Sequence, residues 1–207
     1  MELAKELFYQ SLGYLSGRYF PSAEDERQGA LVTASGMFAV RLTSQMSQYF
    51  NQSEIDRSAP RIYCIWLRSL KQEPWHVLKL VKTVKEIPEW LSGVDKLLVR
   101  GKLQAIEGDD LIFKLKRNRH QPKQKNKSFY VRIKGKPSEI NQGEFWQIEA
   151  RLEQGLFVYC TGTLLADKQT LKAFRQQQYR SPAKKPVAEK IAENTEEKGG
   201  VAALANA

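Results

Sequence analysis

Between residues 14 and 164 the chain is written in short alternating runs, rich in β-branched and aromatic side chains and interrupted by Gly, Pro, Asn or Asp. A period of two puts alternate side chains on opposite faces of a strand, and such frequent punctuation leaves little room for long helices. The fold class expected is therefore mainly β, with short antiparallel strands. The spacing predicts strands over residues 14–20, 31–42, 61–70, 76–84, 96–106, 110–117, 128–134, 145–152 and 156–164. Residues 44–55 read as a helix or an ordered loop, and 87–93 as a turn with a helical corner. Ahead of the strands, Leu3, Leu7, Phe8 and Leu12 recur at helical spacing, which predicts a short amphipathic helix over residues 1–13. Behind them, glutamines 176–178, Pro182, Pro186 and a mixed run of Lys, Glu and Ala cannot furnish a packed face, so residues 173–207 are expected to be a disordered tail.

With 42% hydrophobic residues in a chain of 207, a sizeable core can be buried without a covalent staple. Cys64 and Cys160 both sit inside apolar alternating runs, and they read as reduced core residues of a cytoplasmic protein. A disulfide between the two is the open alternative. No run approaches the roughly 20 apolar residues that span a bilayer, so no stable membrane insertion is expected.

In the second half the strands follow a particular order. Leu97-Leu98-Val99-Arg100-Gly101-Lys102-Leu103 leads to a Gly-Asp-Asp turn at 108–110, then to the strand from Leu111, a long basic loop, the strand from Ser128, and a closing hairpin at Gln154-Gly155. This resembles an OB fold, a five-stranded Greek-key barrel whose second and third strands and loops bind oligonucleotides or oligosaccharides. SH3-like barrels and plain sandwiches fit the same strand pattern. The first half echoes the second: Leu15-Ser16-Gly17-Arg18-Tyr19 matches Val99-Arg100-Gly101-Lys102-Leu103, Ile62-Tyr63-Cys64 matches Phe129-Tyr130-Val131, and Trp75 matches Trp146. Two OB-like barrels in tandem is the economical reading, with a first domain at 14–94 and a second at 95–172. The alternative is that short strands resemble one another by composition alone.

Charge singles out the second domain. Residues 111–138 hold ten of the 33 Lys and Arg and no Asp or Glu, whereas the rest of the chain carries 23 of each sign. A local cluster of this kind favours a dense polyanion over a small ligand. Strand alternation turns Leu97, Val99, Leu103, Ala105, Leu111, Phe113, Leu115, Phe129, Val131 and Ile133 inward. It leaves Arg100, Lys102, Lys114, Lys116, Tyr130, Arg132 and Lys134 on one outer face. Beside that face comes a loop bearing Arg117, Arg119, Lys123, Lys125 and Lys127 among Asn, Gln and Pro122. Cations that track phosphates beside an aromatic that stacks on bases suit single-stranded DNA or RNA with little sequence specificity. Tyr130 is the first stacking candidate, and Phe157 with Tyr159 on the last strand are candidates for a second platform.

In the first domain the same rule points Ile62, Cys64 and Trp66 inward and Tyr63, Ile65 and Leu67 outward, a strand apolar on both faces. Such a strand is covered twice. Its outer face is therefore expected to meet the N-terminal helix, the second domain or another subunit rather than nucleic acid.

Catalysis has little to stand on. The chain contains no Walker-type loop, no dinucleotide fingerprint and no Cys or His pair at metal spacing, so no catalytic residue, cofactor or metal is assigned. His76 reads as structural or surface, and Asp109 with Asp110 as turn residues. The expectation is a non-enzymatic nucleic-acid-binding protein. The competing class is a protein-protein adaptor that docks an acidic partner through the basic loop and a protein, or a second copy, through the first domain.

Overall fold

A computed structural model describes residues 7–52, 55–70, 76–116, 128–135 and 137–180. The ten strands are β1 (Gln10–Pro21), β2 (Gln28–Thr33), β3 (Gly36–Leu42), β4 (Arg61–Ser69), β5 (His76–Val84), β6 (Lys96–Glu107), β7 (Asp110–Leu115), β8 (Phe129–Lys134), β9 (Phe145–Glu153) and β10 (Leu156–Ala166). Helix α1 (Ser44–Gln52) lies between β3 and β4, and helix α2 (Lys168–Arg180) follows β10. All ten strands belong to one compact unit that ends at Leu171, and a second unit begins at Lys172, inside α2.

Two rings of five strands account for the pairing. In the first, β1 pairs with β2, β2 with β3, β3 with β5 in parallel, β5 with β4, and β4 returns to β1. The second has the same order: β6, β7, β8, β10 and β9, with β8 and β10 parallel and β9 closing on β6. Within each ring Leu, Ile, Val and aromatic side chains of alternate positions point inward, as the burial of Leu97, Val99, Leu111, Phe113, Val131 and Ile133 shows.

Two pairings join the rings: Ser69 of β4 pairs with Tyr130 of β8, and one segment of β1 is paired along both edges. Leu12, Gly13 and Tyr14 pair with β4 on one side and with β6 on the other, so β4, β1, β6 and β9 run on as a single sheet. Gly13 is required there by close approach: a Cβ at this position would lie 2.6 Å from the carbonyl oxygen of Lys96. One core cluster accordingly contains residues of both rings, from Leu15 and Ile65 to Val99, Phe113 and Phe157.

Several expectations need correction. Residues 10–13, assigned by periodicity to an N-terminal helix, open β1 instead, because pairing on both edges outweighs the weak preference of a short isolated helix. Residues 7–9 have no regular structure, and 1–6 lie outside the described residues. The predicted strand 31–42 is the hairpin of β2 and β3, turning at Ala34 and Ser35. That missing strand displaced the comparison of the halves: β4 is the fourth strand of its ring and β8 the third of the other, so they are not equivalent. Trp75, the other half of the Trp146 match, lies outside the described residues.

The faces of β4 are also the reverse of the expectation. Tyr63, Ile65 and Leu67 are fully buried in the main core, whereas Trp66 is 48% exposed. Cys64 does lie in a buried place, but on the other face, in a second cluster with Tyr14, Leu91 and Leu98. The strand is thus covered on both faces at Cys64, by β1, β6 and the turn before β6. Cys64 and Cys160 are free thiols, and Cys160 is exposed rather than in the core.

In β6 a bulge between Leu103 and Ala105 shifts the register. An extra residue reverses which side chains face inward, so Ala105 pairs with Ile112 on the outer face and Ile106 takes the inward place against the core.

At the tail, residues 173–180, expected to be disordered, continue α2. The Asp167 carboxylate accepts the Thr170 N–H at 2.7 Å and caps this helix, a local signal that tail composition obscured. Residues 181–207 lie outside the described residues. Helix α1 is capped likewise, with the Met46 N–H donating to Thr43 Oγ1 at 3.1 Å, and its Phe50 stacks on Tyr19 at 5.6 Å.

His76, at the start of β5, is buried where the rings meet. Ser69 Oγ accepts the Arg132 N–H at 2.9 Å and lies 3.1 Å from His76 Nδ1, while the ring meets Phe157 edge-on at 5.6 Å. Burial, with help from the Arg132 charge, pulls the imidazole from 6.5 down to about 4, while Asp110 opposes the shift. The neutral ring shares a hydrogen bond with the Ser69 hydroxyl through Nδ1.

Two outcomes follow for stability. Gly13→Ala lowers the unfolding free energy by about 1–3 kcal/mol through overpacking of the shared strand. Gly101→Ala, whose Cβ would meet the flexible Leu115 side chain at 3.3 Å, costs less in the same urea titration. As for pH, the folded-state value of His76 is depressed, so its contribution is complete above 6.5 and is lost as pH falls toward 4. Over that window the wild type loses roughly 3 kcal/mol that His76→Gln does not lose, read as the difference between their urea midpoints.

Candidate nucleic-acid interface

The second and third strands of the second ring, β7 and β8, stand beside β6, and their register builds a cross-strand row. Lys102 faces Lys114, and Lys114 faces Tyr130. The inward neighbours Leu103, Phe113 and Val131 are fully buried, which pins the row to the outer surface. Tyr130 is 37% exposed, and the two lysines are half-buried. Lysines at directly paired positions concentrate positive charge on this part of the face. Lys116, just past β7, is also half-buried and extends the row in the direction of the basic loop.

The other end of the face is electrically different. Arg132 makes ion pairs with Asp110 at 3.0 Å and Glu107 at 3.4 Å, and Lys134 lies 3.8 Å from Asp110 and 3.9 Å from Asp109. The expectation of one uniformly basic face is therefore corrected: Arg132 and Lys134 sit on it, but carboxylates compensate their charge. The reason is register. Asp110 pairs directly with Lys134, and Ile112 with Arg132, so the acids that precede the basic stretch in sequence fold against its far end.

Arg100, two residues before Lys102, donates from Nε to Gln147 Oε1 at 2.6 Å, and its guanidinium lies 4.3 Å from the Phe8 ring centroid. The segment ahead of β1 thus lies over β6, and Tyr9 meets Phe145 edge-on at 5.2 Å. The place of Phe8 beside Arg100 is one that strand alternation could not find, because it depends on a contact across more than ninety positions. Arg117, Arg119, Lys123, Lys125 and Lys127 lie outside the described residues.

The second platform expected at Phe157 and Tyr159 is also corrected. Phe157 is fully buried between the rings, 6.4 Å from Phe38 and 5.6 Å from His76 by ring centroids. Tyr159 is half-buried and packs against the main core. Both cover a neighbouring element, which leaves Tyr130, among the described residues, as the exposed aromatic of this ring's basic face. Among the described residues, no group of three or more His, Cys, Asp or Glu is placed to hold a metal ion. Nor is any described helix long and apolar enough to cross a membrane.

Residues 99–166, about a third of the chain, match the family described as a cyanobacterial OB-fold-like RNA-binding domain, C-terminal. The matched segment begins within β6 and ends with β10, so it takes in most of the second ring, with Lys102, Lys114 and Tyr130. No curated protein matches the chain.

If carboxylates restrain this face, removing them strengthens it. Asp109→Asn with Asp110→Asn is expected to raise the salt concentration at which the protein elutes from immobilised heparin. Elution at unchanged or lower salt would show that Arg132 and Lys134 contribute no field to the face.

Proposed function

We propose that this chain is a non-enzymatic RNA-binding protein that holds a single strand on the outer face of its second ring, with low sequence specificity. The observation that carries the reading is the row Lys102–Lys114–Tyr130 on β6, β7 and β8, within the segment similar to an RNA-binding OB-fold-like domain. The second and third strands of an OB barrel are the face on which such barrels take oligonucleotides. Tyr130 offers a base a stacking surface, and Lys102, Lys114 and Lys116 supply charge for the phosphates on either side.

Arg117, Arg119, Lys123, Lys125 and Lys127 belong to the proposed site by sequence, since they lie between β7 and β8 along the chain. Their charge adds affinity that salt removes, because each neutralised phosphate releases a counterion. DNA single strands present the same phosphates and bases. The preference for RNA rests on the family similarity.

Fluorescence anisotropy with labelled single-stranded RNA, single-stranded DNA and duplex, each over a range of salt, tests the proposal. The single-stranded RNA is expected to bind tightest, with affinity falling steeply as salt rises. Replacing the five loop cations by Gln should flatten the slope of log K against log salt by about 0.7 for each phosphate that is no longer neutralised. Equal affinity for all three nucleic acids, or a slope indifferent to the five replacements, would reject this site.

A further inference from the structure

The basic row is not the only place where an exposed aromatic meets cations. Trp66 stands outward on β4, 48% exposed in mid-strand, with Lys79 Nζ 5.6 Å from its ring centroid. An indole left half in water in the centre of a sheet is a poor use of a core-forming residue, and neighbouring Arg68 and Lys79 are exposed as well.

Register through β1 carries this group's face onto β6, the first strand of the second ring's row. Trp66 faces Leu12, Leu12 faces Leu98, and one step along the strands Gln10 faces Arg100. The β1–β4 register carries Arg68 to the level of Gln10. From Leu98 the outward positions of β6 are Arg100 and Lys102, and Lys102 hands the face to Lys114 and Tyr130. By strand spacing, Trp66 lies roughly 17 Å from Lys102, two strands across and four residues along. Phe8, laid on the Arg100 guanidinium, stands between. Glu149, the carboxylate that pairs next to Leu98, is engaged by Lys96 Nζ at 2.8 Å.

Aromatic rings with cations at their sides thus recur along one outer surface that crosses from ring to ring: Trp66 with Lys79, Phe8 with Arg100, and Tyr130 with Lys114. We infer that a single strand of nucleic acid continues from the second ring onto the first, with Trp66 as a further base-stacking residue and Lys79 and Arg68 as its phosphate contacts. This inference rests on the nucleic-acid reading above and departs from the expectation that the first ring only covers other protein. The shared strand β1 makes the track possible, because it holds the outer faces of both rings in one continuous sheet.

Length dependence separates the two claims. The full-length protein is titrated with labelled oligouridylates of about 6 and about 20 nucleotides, the range over which one and then two OB-type surfaces are filled. Trp66→Ala is expected to weaken the longer RNA about five- to a hundredfold, the loss of one stacked base, and to leave the shorter RNA unchanged. Trp66→Phe should restore most of the loss, and Lys79→Gln should weaken the longer RNA alone. Tyr130→Ala should weaken both lengths.

Thermal unfolding confirms that the variants are folded, and Lys79→Gln serves if Trp66→Ala is not. If Tyr130→Ala weakens both RNAs while the Trp66 and Lys79 variants weaken neither, the extension falls and the second-ring site stands. If no variant changes either affinity, or the wild type binds neither RNA, both readings fall. If Trp66→Ala instead abolishes self-association in sedimentation while affinity is unchanged, Trp66 covers a second copy and the extension falls.

Discussion

The fold depends on a three-residue stretch hydrogen-bonded along both edges. Leu12, Gly13 and Tyr14 belong to β4's ladder and to β6's ladder at once, and the carbonyl of Lys96 comes so near Gly13 that no side chain fits. Without that approach the rings would each expose an edge of β1 and β6, where unpaired N–H and C=O groups invite other chains. With it, the inward side chains of both rings merge into one core, and the outward ones form one surface.

The union has an electrostatic consequence. His76 of the first ring, Arg132 and Phe157 of the second and Ser69 between them occupy the same buried junction. An imidazole held neutral there avoids placing a second positive charge beside Arg132. Arg132 in turn reaches outward to Asp110 and Glu107, so its guanidinium serves the barrel wall. Lys102 and Lys114 stand at the other end of the face, away from those acids. The stretch of β8 whose cations lack a carboxylate partner nearby is therefore narrower than the count of basic residues implies, and the surface proposed for nucleic acid runs instead along β6 toward Phe8 and Trp66.

Much of this was legible in residue order. Short alternating runs located nearly all the strands, and the inward positions of β7 and β8 are those that alternation assigns. The outer placement of Lys102, Lys114 and Tyr130 was also readable, as was the concentration of charge in residues 111–138. Where reading failed, the failures have specific causes. A single tight turn at Ala34 and Ser35 hid a strand, which made β4 look like the counterpart of β8 and inverted its faces. A one-residue bulge after Leu103 exchanged the places of Ala105 and Ile106. Asp167, whose carboxylate caps α2, lies ahead of the segment 173–207 that composition marked as a tail, and the helix it starts runs on into that segment.

By itself, then, the order of residues determined a mainly β chain, the positions of its strands and the local excess of positive charge, because alternation, turn chemistry and net charge are properties of neighbours along the backbone. Only the tertiary structure decided which face of β4 is inside, which cations are paired with carboxylates and that Phe8 lies on the Arg100 guanidinium. Alternation is symmetric: it says that two faces exist and not which is buried, and that choice is made by the strand laid alongside. Charges likewise interact through space at a few ångströms, so Asp110 answers to Lys134, twenty-four positions on, once antiparallel pairing sets them opposite.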